Sequence, residues 1–125
     1  MMKTSVSIDV SDLKRAEVFY VEALGCKKIR EQGSTMVVLS TENCDIYLLQ
    51  KEAGTKPLVS SSVVRDYERH WTSVHLDFLC NNLDEHVSRI LKLGGLHEGG
   101  DSGDWGSIVY CADPFGNGLC LINHN

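Results

Sequence analysis

The sequence predicts an α+β fold built from two βαβββ modules, and three observations support this prediction. Each half of the chain opens on a stretch in which polar and apolar residues alternate, the period of a half-buried strand. A segment with helical apolar spacing and then three shorter strand-like runs follow each such stretch. The second copy starts 70 residues after the first, since Asp12 and Asn82 precede the two helices at corresponding positions. This recurrence favours a duplicated module.

The first predicted module extends over about residues 1–50. Ser11 and Asp12 provide a helix cap, and Gly25 ends the helix. The strands of this module are predicted at residues 5–10, 26–31, 35–40 and 45–50.

The second predicted module extends over about residues 71–125. Asn82 and Glu85 have the spacing of a capping box at the start of its helix. The segment 99–106 is rich in Gly, Asp and Ser and is predicted to be a loop with the composition of a mobile lid. The strands of this module are predicted at residues 73–79, 96–98, 107–112 and 118–123.

A polar stretch at residues 51–70 separates the modules and is predicted to be a linker with one short helical turn around 63–68. The whole chain of 125 residues has the length of a single domain, which we therefore place at residues 1–125.

Charge and cysteine content exclude several classes of protein. The net charge of −5 disfavours nucleic-acid binding, which depends on basic contacts to phosphate. The five cysteines form no Cys-x-x-Cys pair, so a zinc ribbon is not indicated and reduced thiols are expected. The N-terminus lacks an apolar signal core, and no apolar run is long enough to cross a membrane. A soluble, cytoplasmic protein is the expectation.

Two groups of motifs point to a family. The first-helix region contains Val10-Ser11-Asp12-Leu13, Phe19-Tyr20 and Leu24-Gly25. The C-terminal region contains Asp104-Trp105-Gly106, Tyr110 and Asp113-Pro114-Phe115-Gly116-Asn117. Together they resemble the first helix and the closing hairpin of the glyoxalase/bleomycin-resistance/dioxygenase (vicinal oxygen chelate) superfamily. The resemblance implies a cupped, partly open eight-stranded mixed barrel that holds a ligand or metal, and a homodimer.

The resemblance also implies where metal ligands would lie. Metal-dependent members carry a His seven residues before the helix-cap acid and a Glu seven residues after the Asp of the Asp-Pro turn. The corresponding residues here are Ser5, about Tyr47, His75 and Cys120, so only His75 is of the expected type. We therefore predict no cofactor. The alternative is a divalent metal, Zn or Ni, held by His75 and Cys120, with Asp77 on the same strand face as a third ligand.

The strand alternation predicts a polar inner face. Ser5, Ser7 and Asp9 would face the cup in the first module, as would His75 and Asp77 in the second. Val74, Leu76 and Phe78 would then pack under the second helix. Two interpretations remain open: a ligand site, or a hydrated groove in which Asp9 and Asp77 bond to neighbouring strands.

Four aromatic residues are candidates for stacking on a ligand, although a residue of this kind more often has a core or interface position. They are Tyr47, Trp71, Trp105 and Tyr110.

His75 is the candidate catalytic residue, as a general base beside Asp77 or Asp9, or in a nucleophilic dyad with Cys120. Together with the resemblance, these residues leave three functions open. The first is binding of a small cationic or aromatic molecule without a standard metal centre. The second is a metal-dependent glyoxalase-like lyase/isomerase acting on a small oxygenated substrate. The third is a regulatory or structural dimer that has lost its site. The expected partners are a small-molecule ligand and a second copy of the chain, with no nucleic acid and no membrane.

Overall fold

The computed structural model describes all residues, Met1–Asn125, and divides into two compact units, Met1–Tyr67 and Glu68–Asn125. Each unit contains one open four-stranded mixed sheet and one helical segment between its first and second strands. The predicted pair of βαβββ modules is therefore confirmed.

The sheet of the first unit has the strand order β1-β4-β3-β2. β1 runs parallel to β4, and the other pairs are antiparallel. Its strands are β1 (Ser5–Val10), β2 (Lys27–Gln32), β3 (Met36–Ser40) and β4 (Asp45–Gln50).

One helix covers this sheet. α1 (Leu13–Val18) continues into a π-helical segment, Phe19–Ala23, within the extent that the sequence predicts. The Asp12 carboxylate accepts a hydrogen bond from the Arg15 amide at 3.1 Å, which confirms the predicted cap. The helix buries its apolar residues on the sheet and so forms the core of the unit. That core includes Leu13, Ala16, Phe19, Tyr20, Val37, Leu39, Ile46 and Leu48.

The second unit repeats this order as β5-β8-β7-β6, with β5 parallel to β8. Its elements are β5 (Leu76–Leu79), α2 (Leu83–Lys92), β6 (Leu96–Gly103), β7 (Gly106–Ala112) and β8 (Gly118–His124). Ile90, Cys111, Leu119 and Leu121 are among its buried apolar residues.

The predicted lid at 99–106 is wrong for most of its length, because β6 continues to Gly103 and pairs with β7. Gly100 allows the two strands to approach each other closely. A Cβ added to Gly100 would lie 2.6 Å from the carbonyl oxygen of Ile108. A composition rich in Gly and Ser therefore reflected a tight hairpin rather than a loop.

The start of the second module also differs from prediction. β5 begins at Leu76, so His75 immediately precedes the strand. Val74 is 80% exposed and does not pack under α2, because it lies outside the ladder. The predicted capping box is wrong as well. The Asn82 side chain makes no cap hydrogen bond, and the Glu85 carboxylate instead pairs with Arg89 one turn along α2.

The stretch 51–70 contains no helix or strand, so the helical turn predicted at 63–68 is wrong. Its backbone bonds to itself instead: the Arg65 amide donates to the Thr55 carbonyl, and the Gly54 amide to the Arg65 carbonyl, each at 2.8 Å. The Tyr67 hydroxyl donates to the Lys51 carbonyl at 2.7 Å. These bonds join residues up to Tyr67 to the first unit.

Asp113 organises the turn between β7 and β8. Its carboxylate is buried and accepts the Phe115 amide at 2.8 Å, the Asn117 amide at 3.0 Å and the Asn117 side-chain amide at 2.9 Å. These bonds are those of turn chemistry, as the Asp-Pro and Gly-Asn pattern indicates.

No helix of the protein combines the length and apolar character needed to cross a membrane.

Candidate functional site

The two sheets place several of the predicted site residues in lateral rows, in both units. In the first unit, Ser7 of β1 lies opposite Tyr47 of β4, and Ser5 opposite Asp45. In the second unit, Asp77 of β5 lies opposite Cys120 of β8, which lies opposite Tyr110 of β7. Residues opposite each other share a sheet face, so each row presents its side chains together.

Asp9 does not stand free on this face. Its carboxylate accepts a hydrogen bond from Arg65 Nε at 2.8 Å, and the same guanidinium also donates to Thr55 and Lys56. Burial, and next the charge of Asp9, raises the pKa of Tyr67 nearby. Of the two interpretations of Asp9, this geometry fits the one in which the carboxylate bonds within the protein, although its partner is the predicted linker rather than a strand.

Tyr47 is half-buried and has a cation beside it. Nη2 of Arg30 lies 3.4 Å from the Tyr47 hydroxyl, and the guanidinium carbon is 5.9 Å from the ring centroid. Sequence reasoning missed both Arg30 and Arg65, because each meets its partner only through sheet register or through the path of residues 51–67.

His75, Asp77 and Cys120 converge in the second unit. His75 Nε2 lies 3.1 Å from Asp77 Oδ1. One potential ligand atom from each residue lies within 4.8 Å of the other two. The His75 and Asp77 side chains are 47% and 43% exposed, whereas Cys120 is buried. The cluster thus has a buried thiol beneath an accessible imidazole and carboxylate.

The thiol of Cys120 is held in its neutral form. Burial raises its pKa first, and the charge and hydrogen bond of Asp77 raise it further, as does the charge of Glu98. A neutral thiol is a poor nucleophile, which weighs against the Cys120–His75 dyad.

Glu98 was also missed by sequence reasoning. It lies at a β-bulge between His97 and Gly99, and both of its oxygens accept hydrogen bonds from Arg69, at 2.7 and 2.8 Å. The bond from Arg69 lowers the pKa of Glu98 and so keeps it ionised near Cys120.

The aromatic candidates separate into two groups. Tyr110 lies next to Cys120 in the register, and Tyr47 next to Ser7. Trp105 instead stands at the β6–β7 turn, where its indole would contact a Cβ on Gly103, and Trp71 is 82% exposed outside any strand. Only the two tyrosines therefore share a row with other candidate residues.

Comparison with known proteins identifies the family. Residues 5–122 match the model of the glyoxalase-like domain. The chain belongs to the glyoxalase-like domain family. The predicted membership of the vicinal oxygen chelate superfamily is thereby confirmed. No curated protein matches this glyoxalase-like chain.

Solved structures share the fold of this glyoxalase-like protein. Fosfomycin resistance protein FosX from Listeria monocytogenes matches with a TM-score of 0.74 and 16% identity over 99% of this chain and 91% of that one. FosX from Mesorhizobium loti matches with a TM-score of 0.72 and 16% identity over 99% and 92%. A hypothetical protein from S. aureus matches with a TM-score of 0.73 and 17% identity over 98% and 97%. One structure of a Listeria FosX mutant contains Mn(II) and 1S,2S-dihydroxypropylphosphonic acid.

Proposed function

We propose that this glyoxalase-like protein binds a small cationic or aromatic molecule at the His75–Asp77–Cys120 cluster, without a standard metal centre. The observation that carries the proposal is the convergence of an accessible imidazole and an accessible carboxylate over a buried thiol. Accessible polar groups that converge beside an aromatic ring are typical of ligand sites.

His75 and Asp77 would orient the ligand. When Nε2 of His75 donates to Asp77, Nδ1 is left to accept a hydrogen bond from the ligand. The carboxylate of Asp77 would attract a positive charge, and the ring of Tyr110 offers a face for stacking. Glu98, the other carboxylate near Cys120, is paired with Arg69, so the negative charge that the cluster offers a cationic ligand comes from Asp77.

The test is a thermal-shift screen of small cationic and aromatic molecules in the presence of a chelator, followed by calorimetry. We expect Asp77→Asn to weaken binding of a cationic hit by about tenfold, since a charge-assisted contact is lost. Asp104→Asn, an identical change at the β6–β7 turn, is the matched control and should bind normally. Absence of any stabilising ligand, or equal affinities of the two variants, would contradict the proposal.

A metal-dependent lyase/isomerase is the second candidate, favoured by the 4.8 Å spacing of three potential ligand atoms. His75, Asp77 and Cys120 fit a soft divalent ion such as Zn²⁺ or Ni²⁺ better than a hard one. A bound ion would supply a Lewis acid for the oxygens of a substrate. Cys120 would have to lose its proton and Asp77 would have to release His75, so the raised thiol pKa opposes metal binding at low pH.

Equilibrium dialysis with Zn²⁺, Ni²⁺ and Mn²⁺ tests this candidate. One ion per chain, bound more tightly as pH rises and lost in His75→Ala but not in the exposed control His97→Ala, would favour it. Activity on methylglyoxal and glutathione would then be measured with the bound metal. Stoichiometric binding that persists in His75→Ala would place the ion elsewhere.

We also propose a cytoplasmic homodimer. Five free cysteines suit a reducing compartment. Trp71, Val74 and Leu79 are strongly exposed apolar residues in the second unit, and such residues are typical of an interface between copies. Sedimentation velocity is the test, and a monomer at micromolar concentration would contradict the dimer. A dimer that binds neither ligand nor metal would instead favour the regulatory or structural role.

A further inference from the structure

One lateral row of the first sheet carries three hydrogen-bond donors. Ser7 lies opposite Tyr47, Tyr47 opposite Val38, and Val38 opposite Arg30. All four therefore share the face that the site residues occupy. Val38 is fully buried between the phenol and the guanidinium, so the row consists of polar groups around an apolar floor.

A β-bulge puts Arg30 into this row. The register shifts between Lys28 and Arg30, so Ile29 is the extra residue and Arg30, not Ile29, lies opposite Val38. A bulge reverses which side chains a strand turns to each face, and bulges are common beside functional sites. Without this one, an isoleucine would stand in the row.

Arg30 is also a cation without an acidic partner. Its polar contact is with the Tyr47 hydroxyl, at a long 3.4 Å. The acid of β1, Asp9, is bound to Arg65, and Glu31 next along β2 is bound to Lys28. A guanidinium that no carboxylate neutralises, in a chain of net charge −5, retains its capacity for an added anion.

We propose that Arg30, Tyr47 and Ser7 bind an oxyanion group, a carboxylate or a phosphate, of a small molecule. The Arg30 guanidinium would donate two parallel hydrogen bonds to the anion, and the Tyr47 and Ser7 hydroxyls would donate further hydrogen bonds to it. The proposal concerns the first unit alone and does not rest on the function proposed for the second. The row of the first unit would then prefer anions and the row of the second unit cations, since Asp77 in the second row corresponds to Ser7 in the first.

Amide chemical-shift titrations of the full chain with inorganic phosphate, phenyl phosphate and benzoate test the proposal. We expect saturable shifts at residues of the row with at least one of these anions. A response to the phosphates or to benzoate distinguishes a phosphate ligand from a carboxylate ligand. Arg30→Met should weaken binding about tenfold or more, and Tyr47→Phe by a few-fold. Arg30→Lys should recover only part of the affinity, because the two parallel hydrogen bonds are lost.

Lys92→Met, at an exposed position of α2, is the matched control for removal of one positive charge. It should bind the anions as the parent protein does. Absence of saturable shifts with all three anions would overturn the proposal. So would an Arg30→Met variant, folded by its amide spectrum, that binds normally, or an equal loss in Lys92→Met, which would reduce the effect to net charge. Each result leaves the second-unit ligand screen unaffected, so the two proposals fail separately.

Discussion

At the scale of single residues, arginines decide what the acidic groups can do. Nε of Arg65 donates a hydrogen bond to the Asp9 carboxylate at 2.8 Å, and Arg69 donates two hydrogen bonds to the Glu98 carboxylate. Asp77 instead meets an imidazole and a thiol, and remains 43% exposed. A carboxylate that pairs with an arginine is therefore less available to a ligand. The alternation of polar and apolar residues in the sequence does not predict which carboxylates form such pairs.

The Arg65–Asp9 pair should stabilise the first unit measurably. Arg65 bonds to Asp9, Thr55 and Lys56 and is largely buried, so we expect Arg65→Met to lower the free energy of unfolding by about 1–2 kcal/mol. Arg89→Met, which removes an exposed pair within α2, should cost about 0.5 kcal/mol or less. Urea unfolding of both variants provides the comparison. Equal losses would show that Arg65 contributes no more than a surface pair.

Buried thiols should make stability fall in alkaline solution. Burial raises the pKa of Cys26 and of Cys111 to about 11, above the ordinary thiol value of 9.0. Between these values the unfolded chain has lost protons that the folded chain retains, so ionisation favours unfolding as pH rises. We expect unfolding free energy to decrease from about pH 8 to pH 11, less steeply in Cys26→Ala. An identical slope in that variant would contradict the assignment.

At the scale of elements, the β6–β7 hairpin shows how backbone pairing overrides composition. Residues 99–103 have the glycine and serine content of a loop, yet they bond in register to β7. The same stretch begins with a bulge at Glu98, and β2 carries a bulge at the corresponding place. A prediction from strand alternation assumes an unbroken period of two. It therefore assigns the residues beyond a bulge to the wrong face of the sheet.

Gly100 of β6 should be difficult to replace, because it lies close to the backbone of β7. An added Cβ would lie 2.6 Å from the Ile108 carbonyl oxygen, so Gly100→Ala should destabilise by about 1–3 kcal/mol. Gly103→Ala is the control, because its Cβ would meet only the movable Trp105 indole. Thermal unfolding measures the difference. Equal midpoints for the two variants would indicate that the strands separate easily, as a lid would.

At the scale of the whole molecule, the division into two compact units raises the question of whether each unit folds independently. We propose that they fold as the single domain 1–125, because units of about 60 residues bury too little surface to be more than marginally stable alone. Their matching order, β1-β4-β3-β2 and β5-β8-β7-β6, repeats one topology with different side chains in the equivalent rows.

A single-domain chain should unfold in one transition. Both tryptophans, Trp71 and Trp105, belong to the second unit, so fluorescence reports on that unit whereas far-ultraviolet circular dichroism reports on both. We expect the two urea curves to coincide. Curves with separate midpoints would show that the units unfold independently and would contradict the proposed single domain.

The sequence by itself determined the duplicated βαβββ order, the Asp12 cap and the Asp113 turn. Each of these is a local pattern of periodicity, capping or turn chemistry within a few residues. Only the tertiary structure decided that Asp9 meets Arg65, that Arg30 joins Tyr47, and that His75, Asp77 and Cys120 converge. The physical reason is that these contacts join residues up to 56 positions apart. Such contacts depend on strand register and on bulges, which one-dimensional periodicity does not specify.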